Sequence, residues 1–254
     1  MADGAANRSR VLDRYPWLVP VAIVAVAAGL MVTIFLSQRG GGEEPEAVPP
    51  AEVSDNGDQG PADVVQPEQP DLSSIEERDP DDALSAGPVD APVALVVFSD
   101  YQCPFCASWS HETLPEMMGH VEAGDLYIEW RDVNIFGPAS ERASRASYAA
   151  ALQGQFWEYH DALFPDGEIR DEADLSEEAL ISLAGELGLD VEQFTADLAS
   201  DEVGERIQAN AEAGLEIGVH STPAFILGGE PIVGAQPTEV FVQAMDEALA
   251  RAGR

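Results

Sequence analysis

Val93-Ala94-Leu95-Val96-Val97-Phe98 runs through Ser99-Asp100-Tyr101-Gln102 into Cys103-Pro104-Phe105-Cys106, and the reading of this stretch decides the fold. The apolar, β-branched run is a buried strand. The segment after it, Ala107 to Val121, has the pattern of a helix, with Pro115 expected to kink or break it. A strand that delivers Cys-x-x-Cys to a helix N-terminus has a redox rationale. The first turn of a helix carries unsatisfied N–H groups and a partial positive charge. A thiol placed there ionises more easily, and the thiolate is the nucleophile. The second thiol, one turn on, can attack a mixed disulfide and release its partner. Cys103 is therefore expected as the exposed, attacking sulfur and Cys106 as the resolving one.

Two plainer uses of the pair stand beside this one. Structural zinc takes four ligands, commonly two Cys or Cys/His pairs. The chain has only two cysteines, and His111, His120, His160 and His220 do not lie at ligand spacing. A purely structural disulfide would close a very short loop and constrain the unfolded chain little. The expectation is a redox pair with no metal and no organic cofactor.

The chain has 254 residues and a formal net charge of −35, and its 12 basic residues are all arginine. The acid excess is spread along it, with 15 acidic residues and one arginine between Gly40 and Ala91, then 30 and seven from Pro92 onward. Such a surface repels phosphate backbones, so nucleic-acid partners are not expected.

Residues 1–16 carry Arg8, Arg10 and Arg14, and Trp17 to Leu36 is an uncharged run of 20 residues. That length matches a bilayer core at helical rise. Tyr15 and Trp17 fall at an interface, and the arginine bias places the N-terminus in the cytoplasm. A cleaved signal peptide is the alternative. Its apolar run would be shorter, so an uncleaved anchor is favoured. Either reading exports the rest of the chain, where disulfides persist. Residues 37–77, rich in Pro, Gly and acids, form an extended, disordered linker that could reach on the order of 100 Å. Leu72, Ile75, Leu84 and Val89 leave room for a lead-in strand or hairpin between Asp71 and Pro92.

From about residue 78 the pattern is α/β. Asp125–Val133 alternates, with Leu126, Ile128 and Trp130 on one face. It is expected to pair in parallel with the first strand through a βαβ crossover. Residues 138–219 are almost wholly helical. The expected helices are Ala139–Leu163 after Pro138, one capped by Asp174 or Ser176, one from Leu189-Asp190 through Leu198, and one capped by Asp201 through Ile217. A hairpin follows, with Ala224–Leu227, a Gly228-Gly229 turn and Pro231–Val233. Thr238–Ala250 closes the chain as an amphipathic helix.

Just before that hairpin lies Ser221-Thr222-Pro223-Ala224-Phe225. A proline opening a strand can be cis. With Cys-x-x-Cys upstream, the element order resembles the DsbA-like thiol–disulfide oxidoreductases, in particular their membrane-anchored actinobacterial type. Asp90-Ala91-Pro92-Val93, Phe98 to Cys106, Trp130-Arg131-Asp132 and Ser221 to Phe225 carry the resemblance, which covers residue 78 to the C-terminus. It implies a thioredoxin-like α/β fold with a helical insertion. It further implies a cis Pro223 beside the sulfurs and a Thr222 main chain that bonds an extended substrate, as β-augmentation would. Pro104, Phe105, Thr222 and Pro223 are thus the expected substrate-contacting set.

The resemblance implies an oxidase for secreted or cell-envelope proteins, taking unfolded or reduced polypeptides as partners. A membrane oxidoreductase would reoxidise it. An isomerase or reductase is the alternative, and a non-catalytic thioredoxin-fold binding module a further one. Two departures bear on mechanism. Many relatives carry a buried Glu where this chain has Val97, suited to proton transfer at the resolving thiol; Asp100 or Glu129 are the candidate substitutes. Pro104-Phe105 also lacks the His of strongly oxidising relatives, so a potential below the DsbA value of about −120 mV is expected.

Overall fold

The computed structural model describes residues 71–254. The expected span at 17–36 and most of the expected linker lie outside them. Among the described residues no helix is long and apolar enough to cross a membrane.

The strand that opens the motif, β2 (Val93–Ser99), is buried along its whole length. It is central because both its edges are paired. β3 (Leu126–Asp132) runs parallel on one side and β4 (Ala224–Leu227) antiparallel on the other. A short β1 (Ser85–Ala86) borders β3, and β5 (Glu230–Val233) borders β4, giving the order β1-β3-β2-β4-β5. A strand flanked on both faces reads as a continuous apolar run, which is how β2 reads.

β3 departs from its alternating pattern in an instructive way. All seven residues are buried, the polar ones included. The apolar set, Leu126, Ile128 and Trp130, packs with Val93, Leu95, Val97 and Trp109. The polar set is covered by the lead-in segment. Tyr127 Oη donates to Asp79 O at 2.7 Å. Glu129 accepts from the main-chain N–H groups of Glu77 (3.1 Å) and Arg78 (2.7 Å). Arg131 bridges Asp82 at 2.7 Å and Glu129 at 3.1 Å. The folded unit accordingly takes in residues 71–77, expected in the linker. Leu72 N donates to Gly229 O at 2.8 Å, and Leu72 and Ile75 pack against Val96, Phe98 and Ile226.

The motif helix is broken where proline requires it. α1 (Pro104–Glu112) ends at Thr113, and α2 (Leu114–Glu122) begins with Pro115 in its first turn. Lacking an N–H, Pro115 is tolerated there and not in a helix interior. The expected helix 139–163 is two, α3 (Pro138–Ala151) and α4 (Phe156–Leu163). Gly154 between them has φ +73, a value that ends a helix. α5 (Glu177–Glu186) is capped by Ser176 and α6 (Val191–Leu198) by Asp190. α7 (Asp201–Glu216) is capped by Ser200, whose Oγ accepts from Val203 N at 3.1 Å, and not by Asp201. α8 (Thr238–Arg251) lays Phe241 and Met245 on the same sheet face as Trp109.

The insertion has its own apolar cluster, built on the alanines of α3 with Tyr159, Leu180 and Phe194. Tyr101, Cys103 and Cys106 belong to that cluster. The helical insertion therefore packs against the very turn that carries the motif.

Candidate active site

β2 ends at Ser99, and a tight turn leads to the cysteines. Asp100 builds that turn. Its Oδ1 accepts from Gln102 N at 2.8 Å, its Oδ2 from Phe136 N at 3.1 Å, and its main-chain O from Cys103 N at 3.0 Å. Cys103 is the N-cap residue of α1, in extended conformation (φ −94, ψ 113), with Pro104 at the first helical position. Its carbonyl accepts from the N–H groups of Cys106 (3.0 Å) and Ala107 (3.2 Å).

Both cysteines are free thiols, and both are buried. Cys103 is only 1% exposed, which corrects the expectation of an exposed sulfur. The main chain before Pro223 covers it. Cys103 Sγ lies 3.3 Å from Thr222 O, and the Thr222–Pro223 peptide is cis. The structure thus brings Cys103, Cys106, Thr222 and Pro223 into one site, with Pro104 and Phe105 exposed at its rim and Phe105 67% exposed. Phe136, 54% exposed, is held beside the motif turn by its bond to Asp100.

The two thiols have opposite acidities. Hydrogen bonding from the Cys106 thiol lowers the Cys103 pKa to about 6 against the opposing effect of burial. The Thr222 side chain and the N–H groups of Cys106 and Phe105 lower it further. Burial pushes Cys106 up, and its bond to Cys103 pushes it the same way. One hydrogen bond therefore acts on both, because a proton kept on Cys106 is what stabilises the Cys103 thiolate. The pair holds one nucleophilic sulfur and one protonated reserve sulfur. That is the division of labour thiol–disulfide exchange needs.

Neither carboxylate expected to handle protons is placed to serve. Both oxygens of Asp100 are occupied by N–H groups. Glu129 is turned to the face of Arg131, with burial raising its pKa against the lowering effect of Arg78 and Glu77 N–H. Sequence reasoning missed two buried titratable groups. Asp132, at the end of β3, accepts from Trp130 Nε1 at 2.9 Å, and burial raises its pKa to about 7. His160 of α4 lies between Tyr101 Oη (3.1 Å from Nδ1) and Ser110 Oγ (3.2 Å from Nε2). Burial lowers its pKa to about 3, so it is a neutral bridge between insertion, motif turn and α1. Trp130-Arg131-Asp132 is visible as a motif; nothing local marks His160. Among the described residues no cluster of three or more His, Cys, Asp or Glu could hold a metal ion.

The DSBA-like thioredoxin domain matches residues 94–246. Among curated relatives, the Na(+)/H(+) antiporter NhaA of Herminiimonas arsenicoxydans is 37% identical over 180 residues. The match takes 69% of this chain and only 27% of that protein, so this chain spans about a quarter of that relative's length. The probable disulfide bond formation protein D of Bacillus anthracis is 29% identical over 150 residues, 57% of this chain and 69% of that one. The crystal structure of oxidised BdbD from Bacillus subtilis superposes with a TM-score of 0.59. It covers 72% of this chain and 96% of that one at 21% identity, a likeness of fold.

Proposed function

Since the chain belongs to the family of DSBA-like thioredoxin domains, we propose that it is a thiol–disulfide oxidoreductase working through Cys103 and Cys106, most naturally as an oxidase of exported proteins. The observation that carries this reading is the placement of Cys103 at the N-cap of α1, 3.3 Å from the main-chain oxygen before the cis Pro223, with Cys106 buried one turn on. In the oxidised form, a substrate thiolate attacks Cys103 Sγ. The Cys103–Cys106 bond breaks, and a mixed disulfide forms. A second substrate cysteine then attacks the substrate sulfur, and Cys103 leaves. A low-pKa thiol is a good leaving group, so the stabilised Cys103 thiolate drives the reaction toward substrate oxidation.

An unfolded polypeptide suits the rim. The Thr222 carbonyl faces the reacting sulfur, and Phe105 and Phe136 offer exposed apolar surface beside it. A Cys103 pKa of about 6 lies between the nucleophilic thiols of thioredoxin, about 7, and DsbA, about 3.5. The expected potential accordingly falls between about −270 and −120 mV, a milder oxidant than DsbA. The apolar run at 17–36 supports a single-pass anchor in the cell membrane with the catalytic domain outside. The acidic stretch that follows would serve as its tether. A membrane oxidoreductase would then restore the disulfide.

Trapping tests the reading. A Cys106→Ala protein should accumulate mixed disulfides through Cys103 with secreted or envelope proteins. Substrates that lose disulfides when the protein is deleted mark an oxidase. Substrates that instead gain wrongly paired ones mark the isomerase alternative, and a Cys106→Ala protein that captures nothing contradicts both.

A further inference from the structure

Both ring nitrogens of His160 are spent on the segment that carries the cysteines. Nδ1 lies 3.1 Å from the Tyr101 hydroxyl and Nε2 lies 3.2 Å from the Ser110 hydroxyl, and all three residues are buried. Tyr101 stands two residues before Cys103, and Ser110 stands four residues after Cys106. Positions four apart share a face of a helix, so Ser110 lies one turn along α1 from Cys106 and on the same face. His160 therefore joins the two ends of residues 101–110, with the Cys-x-x-Cys turn between its two bonds. The exchange chemistry itself makes no use of it.

The histidine is held still by its surroundings. Its ring meets Trp130 edge-on at 4.4 Å and Phe164 at 5.3 Å between centroids. Close packing of this kind locks a side chain in one rotamer. A neutral imidazole has one donor and one acceptor, and a hydroxyl serves as either. One uncharged ring thus satisfies Tyr101 and Ser110 together. A leucine or phenylalanine would fill the space and hold neither.

The bridge spans the junction on which the reactive sulfur depends. Tyr101, Cys103 and Cys106 pack in one apolar cluster with Tyr159 and Leu163 of α4. The groups that stabilise the Cys103 thiolate include the Cys106 thiol and the N–H groups of Cys106 and Phe105. These belong to the first turn of α1. Their aim at Cys103 Sγ follows from how that turn sits against the turn after β2. Tyr101 marks one side of the junction and Ser110 the other.

We propose that His160 is a positioning residue for thiol exchange, one that fixes the first turn of α1 against the Cys103 sulfur by bonding Tyr101 and Ser110 at once. The proposal rests on the exchange reading above. His160 makes its hydrogen bonds to the two hydroxyls and not to either sulfur, so it acts through the geometry of the pair. Because it comes from α4, it gives the helical insertion a hold on the reactive turn.

The test reads thiolate absorbance against pH, and the equilibrium with glutathione, in the full chain. Tyr101→Phe and Ser110→Ala each cut one end of the bridge and keep the packing. Either alone should raise the thiolate midpoint by about one pH unit. At pH 7 either should also shift the equilibrium about fivefold toward the disulfide, about 20 mV. The double variant should shift both no further, because one cut already opens the bridge. Tyr159→Phe is the control. It loses a buried bond to Leu180 O from the same helix, so it should cost similar stability and leave the midpoint in place. Wild-type midpoints in both single variants overturn the proposal and leave thiol exchange intact. An equal shift in Tyr159→Phe also overturns it, since the effect would then be one of general stability. A double variant that shows the sum of the two single shifts overturns the bridge as a unit. If Tyr101→Phe does not fold, Ser110→Ala set against Tyr159→Phe decides. A wild type whose thiolate appears only at the ordinary value of 9.0 takes down the exchange reading as well.

Discussion

The sulfur of Cys103 lies 3.3 Å from the main-chain oxygen of Thr222, across 119 positions of sequence. That contact makes one site of two motifs at opposite ends of the folded unit. It also sets a balance. As a thiol, Cys103 donates to the carbonyl; as a thiolate, it faces an oxygen that offers it nothing. The anion is therefore stabilised by the other groups around it, the Cys106 thiol first and the Thr222 side chain after it.

The Thr222 hydroxyl is buried and otherwise without a partner among the described residues. Replacing it should expose how much it contributes to the thiolate. Thr222→Val is expected to raise the Cys103 titration midpoint by about one pH unit, the worth of a modest hydrogen bond to a charged group. Alkylation rate against pH measures it. An unchanged midpoint would show that the hydroxyl contributes nothing.

The lead-in segment is clamped by a buried ionic cluster. Arg131 is 4% exposed and holds Asp82 and Glu129, themselves buried, at 2.7 and 3.1 Å. Arg131→Met leaves Glu129 buried without its cation and Asp82 with only Arg206, at 3.9 Å. The expected cost is about 3–5 kcal/mol in urea unfolding. A loss below about 1 kcal/mol, the level of a surface pair, would contradict the account of how residues 76–82 are held.

Two buried groups pull stability in opposite directions below neutral pH. His160 titrates at about 3 in the folded protein against an ordinary 6.5, so the unfolded chain binds the extra proton and stability falls as pH falls through that window. Asp132 titrates at about 7 against 3.8, so the folded protein binds the extra proton and stability falls as pH rises through its window. Asp132→Asn removes only the second slope. Relative to wild type, the variant should gain on the order of 3–4 kcal/mol between about pH 4 and 7, read by urea titration at each pH. A difference that stays constant with pH would mean that Asp132 keeps an ordinary carboxyl pKa.

Much of the fold is legible in local pattern. Val93–Phe98 announces a strand covered on both faces, Pro115 a break in the motif helix, and Gly228-Gly229 a hairpin. These features depend on residues adjacent in sequence. What escapes a local reading depends on distance. Asp132 looks like any strand-end carboxylate until Ser99, in register on the neighbouring strand, is placed beside it. His160 draws its partners from 59 and 50 positions away. The burial of Cys103 comes from Thr222 and from the insertion, neither of which its own neighbours reveal. The β3 alternation is plain in the sequence, yet its polar face is buried because residues 76–82 fold back over it.

The most direct test of the central claim is the pH titration of thiolate ultraviolet absorbance in the reduced protein, run alongside Cys103→Ser. The account predicts one thiolate appearing with a midpoint near 6, absent from Cys103→Ser, while Cys106 stays protonated well beyond neutrality. A midpoint at the ordinary thiol value of 9.0, or a low-pH thiolate that survives in Cys103→Ser, would contradict it.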